Sequence, residues 1–134
     1  MADDDLDDAA FVMEALDVVD PHIGLKHVPD GQYLIDMLHG LGNLHTERHA
    51  PLILLDLNMP RKGGLETLRE IRSNPFLNIL PVLILSTSAS QRDIQEAYIN
   101  GANCYVIKPF TFNDWIYLMK GLTRFWLRKV IGTL

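Results

Sequence analysis

Three short, uninterrupted apolar runs constrain this chain more than any other feature: LILL at 52–55, VLIL at 82–85 and CYVI at 104–107. Each is too short for a helix and lacks the alternation of a strand with one wet face, so each reads as a strand covered on both sides. The segments between them carry helical spacing. Leu65, Leu68 and Ile71 recur with charges between them, residues 91–100 predict a helix stopped by Gly101, and Trp115, Ile116, Met119 and Leu122 line one face of a last helix. Upstream, residues 8–19 predict a helix with Phe11, Ala15, Leu16 and Val19 on one face. Residues 24–28 predict a short strand, and residues 32–41 a second helix. Asp7 or Asp8 is placed to cap the first helix and Pro21 to end it. Strands alternating with helices imply an α/β fold: a parallel sheet between two helical layers.

Open sheets of this kind bind ligands beyond the carboxyl ends of their strands. Asp56, Ser86 and Lys108 each follow one of the three apolar runs directly. A polar residue ends most strands, so none of the three is informative alone. Together they supply a nucleophile, a hydrogen-bond donor and a counter-charge, which is what phosphoryl chemistry requires. Such chemistry also needs a divalent cation with hard oxygen ligands. The chain opens MADDDLDD, with five aspartates among its first eight residues.

The totals exclude several function classes. A chain of 134 residues with 48% hydrophobic and 22% charged residues is one soluble globular domain. A net charge of −5 argues against nucleic-acid or anionic-membrane binding. Cys104 is the only cysteine, which rules out a disulfide within the chain. It begins a predicted buried strand and reads as inert core. No apolar run approaches the roughly 20 residues of a membrane span. The opening is acidic where a secretory leader is basic, so a cytoplasmic location is expected. His45 and His49 in HTERH do not form the HExxH metal motif and read as loop. Trp115, Phe125 and Trp126 read as core, with burial of Phe125-Trp126-Leu127 in a partner as the alternative.

The acidic pair in ADDD, LILLDLNMPRKGG, LILSTS and CYVIKPF stand in the order found in the receiver domain of bacterial two-component response regulators, which the chain resembles over about residues 2–127. Gly64, Ser86 and Lys108 lie 8, 30 and 52 positions after Asp56, spacings the family shares. The resemblance implies a flavodoxin-like fold with strand order 2-1-3-4-5 and a tail at 128–134. It implies Asp56 as phosphoacceptor and Mg²⁺ held by the pair Asp3 and Asp4, by Asp56 and by the carbonyl of Asn58. Ser86 and Lys108 would bind phosphoryl oxygens, Tyr105 would be the aromatic switch, and the Lys108–Pro109 bond would be cis. By the same resemblance the donor is a sensor histidine kinase. The STS form and the ending RFWL resemble single-domain regulators paired with phytochrome-type kinases. The acyl phosphate would draw Ser86 toward it and let Tyr105 turn inward, reshaping the surface of helix 91–100, strand 104–107 and the last helix for a downstream protein that the sequence does not name. A homodimer is left open. Lys62-Gly63 departs from the family, where an apolar residue and an aspartate are common. On this reading the chain is a phosphoacceptor rather than an enzyme. Two rivals are an aspartate-nucleophile phosphohydrolase and a phosphorylation-independent interaction module. The hydrolase wants a second acid two residues after the nucleophile, where this chain has Asn58.

Family members place about five apolar residues before the acidic pair. Only Met1 and Ala2 stand there in this chain, so the central first strand is expected to be truncated. The gap would leave unpaired edges beside 24–28 and 52–55, unless the start lies further upstream, another chain donates a strand, or the C-terminal KVIGTL folds back.

Overall fold

The computed structural model describes residues 1–41 and 51–127. His45, His49 and the tail with KVIGTL lie outside the described residues. The elements run α1 (Leu6–Val19), α2 (Gly31–Gly40), β1 (Ile53–Asp56), α3 (Gly64–Ser73), β2 (Val82–Ser86), α4 (Gln91–Ile99), β3 (Cys104–Ile107) and α5 (Phe112–Leu122), which continues as a wider π-helical turn at Thr123–Leu127. The three strands form a parallel sheet in the order β1-β2-β3, with Ile53 opposite Val82 and Leu83 opposite Cys104.

The apolar runs are continuous because both faces of the sheet are covered. Ile53, Leu55, Val82 and Ile84 pack with Leu34, Ile35 and Leu38 of α2 and Leu68 and Ile71 of α3. Leu54, Leu83 and Leu85 point the other way, into Val12 and Leu16 of α1 and Trp115 and Met119 of α5. Successive strand residues serve opposite layers, so no position tolerates a polar side chain until the strand ends. Leu83 and Ile84 are fully enclosed, and each contributes roughly 2 kcal/mol of hydrophobic stabilisation.

At the place of the expected first strand, the opening residues bridge both neighbours. Ala2 forms parallel bridges to Val28 on one side and Leu55 on the other. Its N–H donates to Leu54 O at 2.9 Å and its carbonyl accepts from Asp56 N–H at 3.0 Å. On the opposite side Val28 N–H donates to Met1 O at 2.9 Å and Asp3 N–H to Val28 O at 3.1 Å. The lateral order, Val28 then Ala2 then β1-β2-β3, is that of 2-1-3-4-5. The predicted strand at 24–28 is corrected: only Val28 is bridged, because the hydrogen bonds with Met1 and Asp3 both close on it.

Other expectations also need correction. Asp5, rather than Asp7 or Asp8, caps α1 by accepting from Asp7 N–H and Asp8 N–H. The helix starts at Leu6, two residues earlier than its apolar pattern suggests, so the cap moves with it. Phe11 is exposed, while Ala9 and Val12 face the core. The third strand is not buried as its composition predicts: β3 is the outer strand, Cys104 is half-buried and Ile107 is exposed. Phe125 is exposed rather than core, its ring edge-on to Trp126 at 5.2 Å. Among the described residues there is no cis peptide bond, so Lys108–Pro109 is trans, the form an X–Pro bond favours by about 0.5–1 kcal/mol.

Candidate functional site

The alternation that fills the core also builds the site. Met1, Leu54 and Leu85 face the α1/α5 layer. Two residues further on from Met1 and from Leu54, Asp3 and Asp56 emerge on that same side, at the carboxyl end of the sheet. Cys104 and Val106 also pack toward α1 and α5, so Lys108 continues their face. Period two therefore brings Asp3, Asp56 and Lys108 together, although they come from three separate segments. Their depths are staggered: Asp56 lies opposite Leu85, Ser86 lies opposite Ile107, and Lys108 N–H donates to Ser86 O at 2.8 Å.

Asp3, Asp4 and Asp56 each present a carboxylate oxygen within 4.8 Å of the others. Asp3 and Asp56 are buried and Asp4 is exposed, so the cluster opens to solvent on one side. Burial raises the Asp56 carboxyl to about 6, and the neighbouring Asp3 charge adds to the rise, partly offset by Lys108. Asp3 is raised for the same first reason, burial, and is eased back by its hydrogen bond from Lys108. Its carbonyl accepts from His27 Nε2 at 2.7 Å and its Oδ1 from Asp5 N–H at 2.9 Å, which fixes its orientation.

Lys108 is buried, and its Nζ lies 2.8 Å from Asp3 Oδ2, 2.7 Å from Asp8 Oδ2 and 3.4 Å from Asp56 Oδ1. Burial alone would lower its pKa. The hydrogen bonds to Asp3 and Asp8 and the charges of Asp3 and Asp56 outweigh burial and raise it above the ordinary ammonium value. Asp8 was expected only as a cap, so its pairing with Lys108 is an addition to the expected site. The available signal is its place in the first turn of α1, five residues after Asp3, where a side chain leans back toward the sheet mouth.

Ser86 and Tyr105 share the opposite side of the sheet. Ser86 is fully buried and its Oγ accepts from Ser88 N–H at 3.1 Å. The Tyr105 hydroxyl donates to Ser88 O at 2.8 Å, so the ring already engages the loop that follows Ser86. Its backbone N–H donates to the Tyr98 hydroxyl at 3.1 Å, which ties β3 to α4. Asn58 is exposed, in the loop that leaves Asp56.

That loop is pinned at several points. Gly64 N–H donates to Leu57 O at 2.9 Å, Gly31 N–H to Lys62 O at 3.2 Å, and Arg61, with φ of 65°, pairs with Asp30 at 3.5 Å. Lys62 pairs with Glu70, so the departure from the family at Lys62-Gly63 is accommodated by a local ion pair. A Cβ on Gly64 would overlap the Asp56 carbonyl oxygen and stand 2.7 Å from Leu57 Cα. Both are backbone atoms and cannot swing aside. Gly64→Ala is expected to lower stability by about 2–3 kcal/mol and to displace Asp56. A denaturant midpoint within error of wild type would contradict this close packing.

The residues present suit a divalent cation: three carboxylates converge, one is open to water, and the crowding that raises Asp56 is what a cation relieves.

Comparison with known proteins agrees with this geometry. The family model for the response regulator receiver domain matches residues 1–120. The response regulator Rcp1 of Synechocystis sp. is 34% identical over 130 residues, covering 97% of this chain and 88% of that one. The crystal structure of the phosphorylated cyanobacterial phytochrome response regulator RcpA superposes with a TM-score of 0.83 at 35% identity, covering 96% of this chain and 91% of that one. The Mn²⁺-bound form of response regulator Rcp1 superposes with a TM-score of 0.73 at 32% identity, covering 94% and 91%. With its flavodoxin-like sheet and its acidic mouth, this chain belongs to the receiver-domain family of two-component response regulators and is homologous to regulators controlled by phosphorylation.

Proposed function

We propose that residues 1–127 form a receiver domain that takes a phosphoryl group onto Asp56 from a sensor histidine kinase and signals by a change in partner binding, with 128–134 as a tail. The observation that carries this reading is the convergence of Asp3, Asp4, Asp56 and Lys108 at one end of the sheet. A carboxylate oxygen of Asp56 attacks the phosphorus of a phosphohistidine. The new O–P bond forms as the P–N bond breaks, and the imidazole leaves with that electron pair. With a pKa of about 6, Asp56 is mainly ionised at pH 7 and thus nucleophilic. Lys108 offers its positive charge to the arriving phosphoryl oxygens, and the Ser86 hydroxyl is the donor on the α4 side. Asp3, Asp4, Asp56 and the carbonyl of Asn58 would hold Mg²⁺, which neutralises phosphoryl charge when bound.

The acyl phosphate adds charge and acceptor oxygens beside Ser86. Tyr105 reads that event through its bond to Ser88 O, and α4 moves with it because Ser88 Oγ also donates to Asp93 at 2.6 Å. The likeness to phytochrome response regulators favours a phytochrome-type kinase as donor. A cytoplasmic location fits such a donor, and among the described residues no helix is long and apolar enough to cross a membrane. Asn58 cannot shuttle a proton, which weighs against multiple-turnover hydrolysis. Incubation with phosphorylated phytochrome-type kinase should give at most one phosphoryl group per chain and none on Asp56→Asn. Sustained phosphate release from a phosphomonoester would instead support the hydrolase.

A further inference from the structure

We propose that Asp8 is a positioning residue that acts as a brake on Lys108, holding the ammonium away from the phosphoryl group and so limiting how tightly phosphorylated Asp56 is stabilised. The proposal rests on the reading of Asp56 as phosphoacceptor. An ammonium has three donors, and here they meet three carboxylates. The short contacts are to Asp8 at 2.7 Å and Asp3 at 2.8 Å; the contact to Asp56 is 3.4 Å, beyond ordinary hydrogen-bond length. Lys108 therefore rests on residues that do not accept the phosphoryl group. Asp3 belongs to the cluster suited to a cation, whereas Asp8 stands outside it. The Asp8 side chain is 20% exposed against 0% for Asp3, so it sits on the rim of the pocket. The helix does not need it as a cap, because Asp5 does that work. Its place in the first turn of α1 sets the carboxylate 2.7 Å from Lys108 Nζ.

Removing the Asp8 charge has opposite effects on the two ligands. A phosphoryl dianion gains, since Lys108 is released toward it and one repelling carboxylate is gone. A bare cation loses, since a nearby negative charge is removed and the freed ammonium turns toward Asp3 and Asp56. A purely structural acid in the first turn would interact with the helix dipole alone, and its loss would weaken both ligands together.

Titration calorimetry of the full chain with Mg²⁺ alone, and with beryllofluoride at saturating Mg²⁺, separates these cases. Asp8→Asn should bind beryllofluoride about fivefold more tightly and Mg²⁺ about twofold more weakly, the scale of one partly exposed ion pair. In a Lys108→Gln background most of the beryllofluoride gain should vanish, because the effect passes through the ammonium. Both affinities falling together, no change in either, or an equal gain without Lys108 would overturn the brake while leaving the phosphoacceptor reading intact. A wild-type chain that takes no beryllofluoride would overturn that reading and this proposal with it.

Discussion

Lys108→Met is expected to lower the stability of the metal-free protein by about 3 kcal/mol at pH 7.5, the scale of removing one partner from a buried ion pair. Lys108 stands among Asp3, Asp8 and Asp56 at 2.8, 2.7 and 3.4 Å. Without it, buried Asp3 and Asp56 keep their negative charge with no cation beside them. Two features distinguish this from ordinary loss of packing. The deficit should shrink near pH 5, where the raised carboxyls of Asp3 and Asp56 take up protons more readily. Millimolar Mg²⁺ should restore most of the loss, because a cation that binds only the folded state stabilises it by mass action. Urea melts at both pH values, with and without Mg²⁺, read all three effects. A variant as stable as wild type without metal would show that the ammonium does not neutralise the site.

The second large effect runs in the opposite direction. Asp56→Asn should stabilise the metal-free protein at pH 7 by roughly 2 kcal/mol while abolishing phosphorylation. Burial and the Asp3 charge raise Asp56 from 3.8 to about 6. Between about pH 4 and pH 6 the folded state then holds more protons than the unfolded state, so stability falls as pH rises through that window. Above it the penalty is constant. The stability gap between variant and wild type should therefore be small near pH 4, open by about pH 6 and stay level beyond. A shift of about two pH units sets a ceiling near 3 kcal/mol, reduced because the amide loses the weak contact with Lys108. Mg²⁺ should close the gap by stabilising wild type alone. A gap that is absent at pH 7, or that widens toward acid, would contradict the crowding of the three carboxylates.

Much of this was legible in the sequence, for a physical reason. Strands covered on both faces must be continuously apolar, so the positions of Asp56, Ser86 and Lys108 at the ends of LILL, VLIL and CYVI mark the mouth of the sheet directly. The residues that were not legible depend on tertiary geometry. Asp8 resembles any acid in the first turn of a helix until the fold brings Lys108 to within 2.7 Å of it. Asp3, Asp4, Asp5, Asp7 and Asp8 are chemically alike, and only the helix start at Leu6 makes Asp5 the cap and releases Asp8. The exposure of β3 follows from its outer place in the sheet, which composition does not encode. Residues 24–28 have the composition of a strand, but pairing also requires a partner, and in the fold Val28 is the residue that meets one, through Met1 and Asp3. The side-chain alternation that places Lys108 with Asp3 and Asp56, and Ser86 with Tyr105, could have been read from period two alone. It divides the site into an ion-pairing side against α1 and a side against α4 that holds Ser86 and Tyr105.

Asp56 is the proposed acceptor of the phosphoryl group. The most direct test is mass spectrometry of the intact chain after incubation with acetyl phosphate and Mg²⁺, followed by mapping of the modified peptide. One added phosphoryl group is expected, located on Asp56, lost when Mg²⁺ is chelated beforehand and absent from Asp56→Asn. Equal labelling of Asp56→Asn, or a phosphoryl group mapped to another residue, would contradict it.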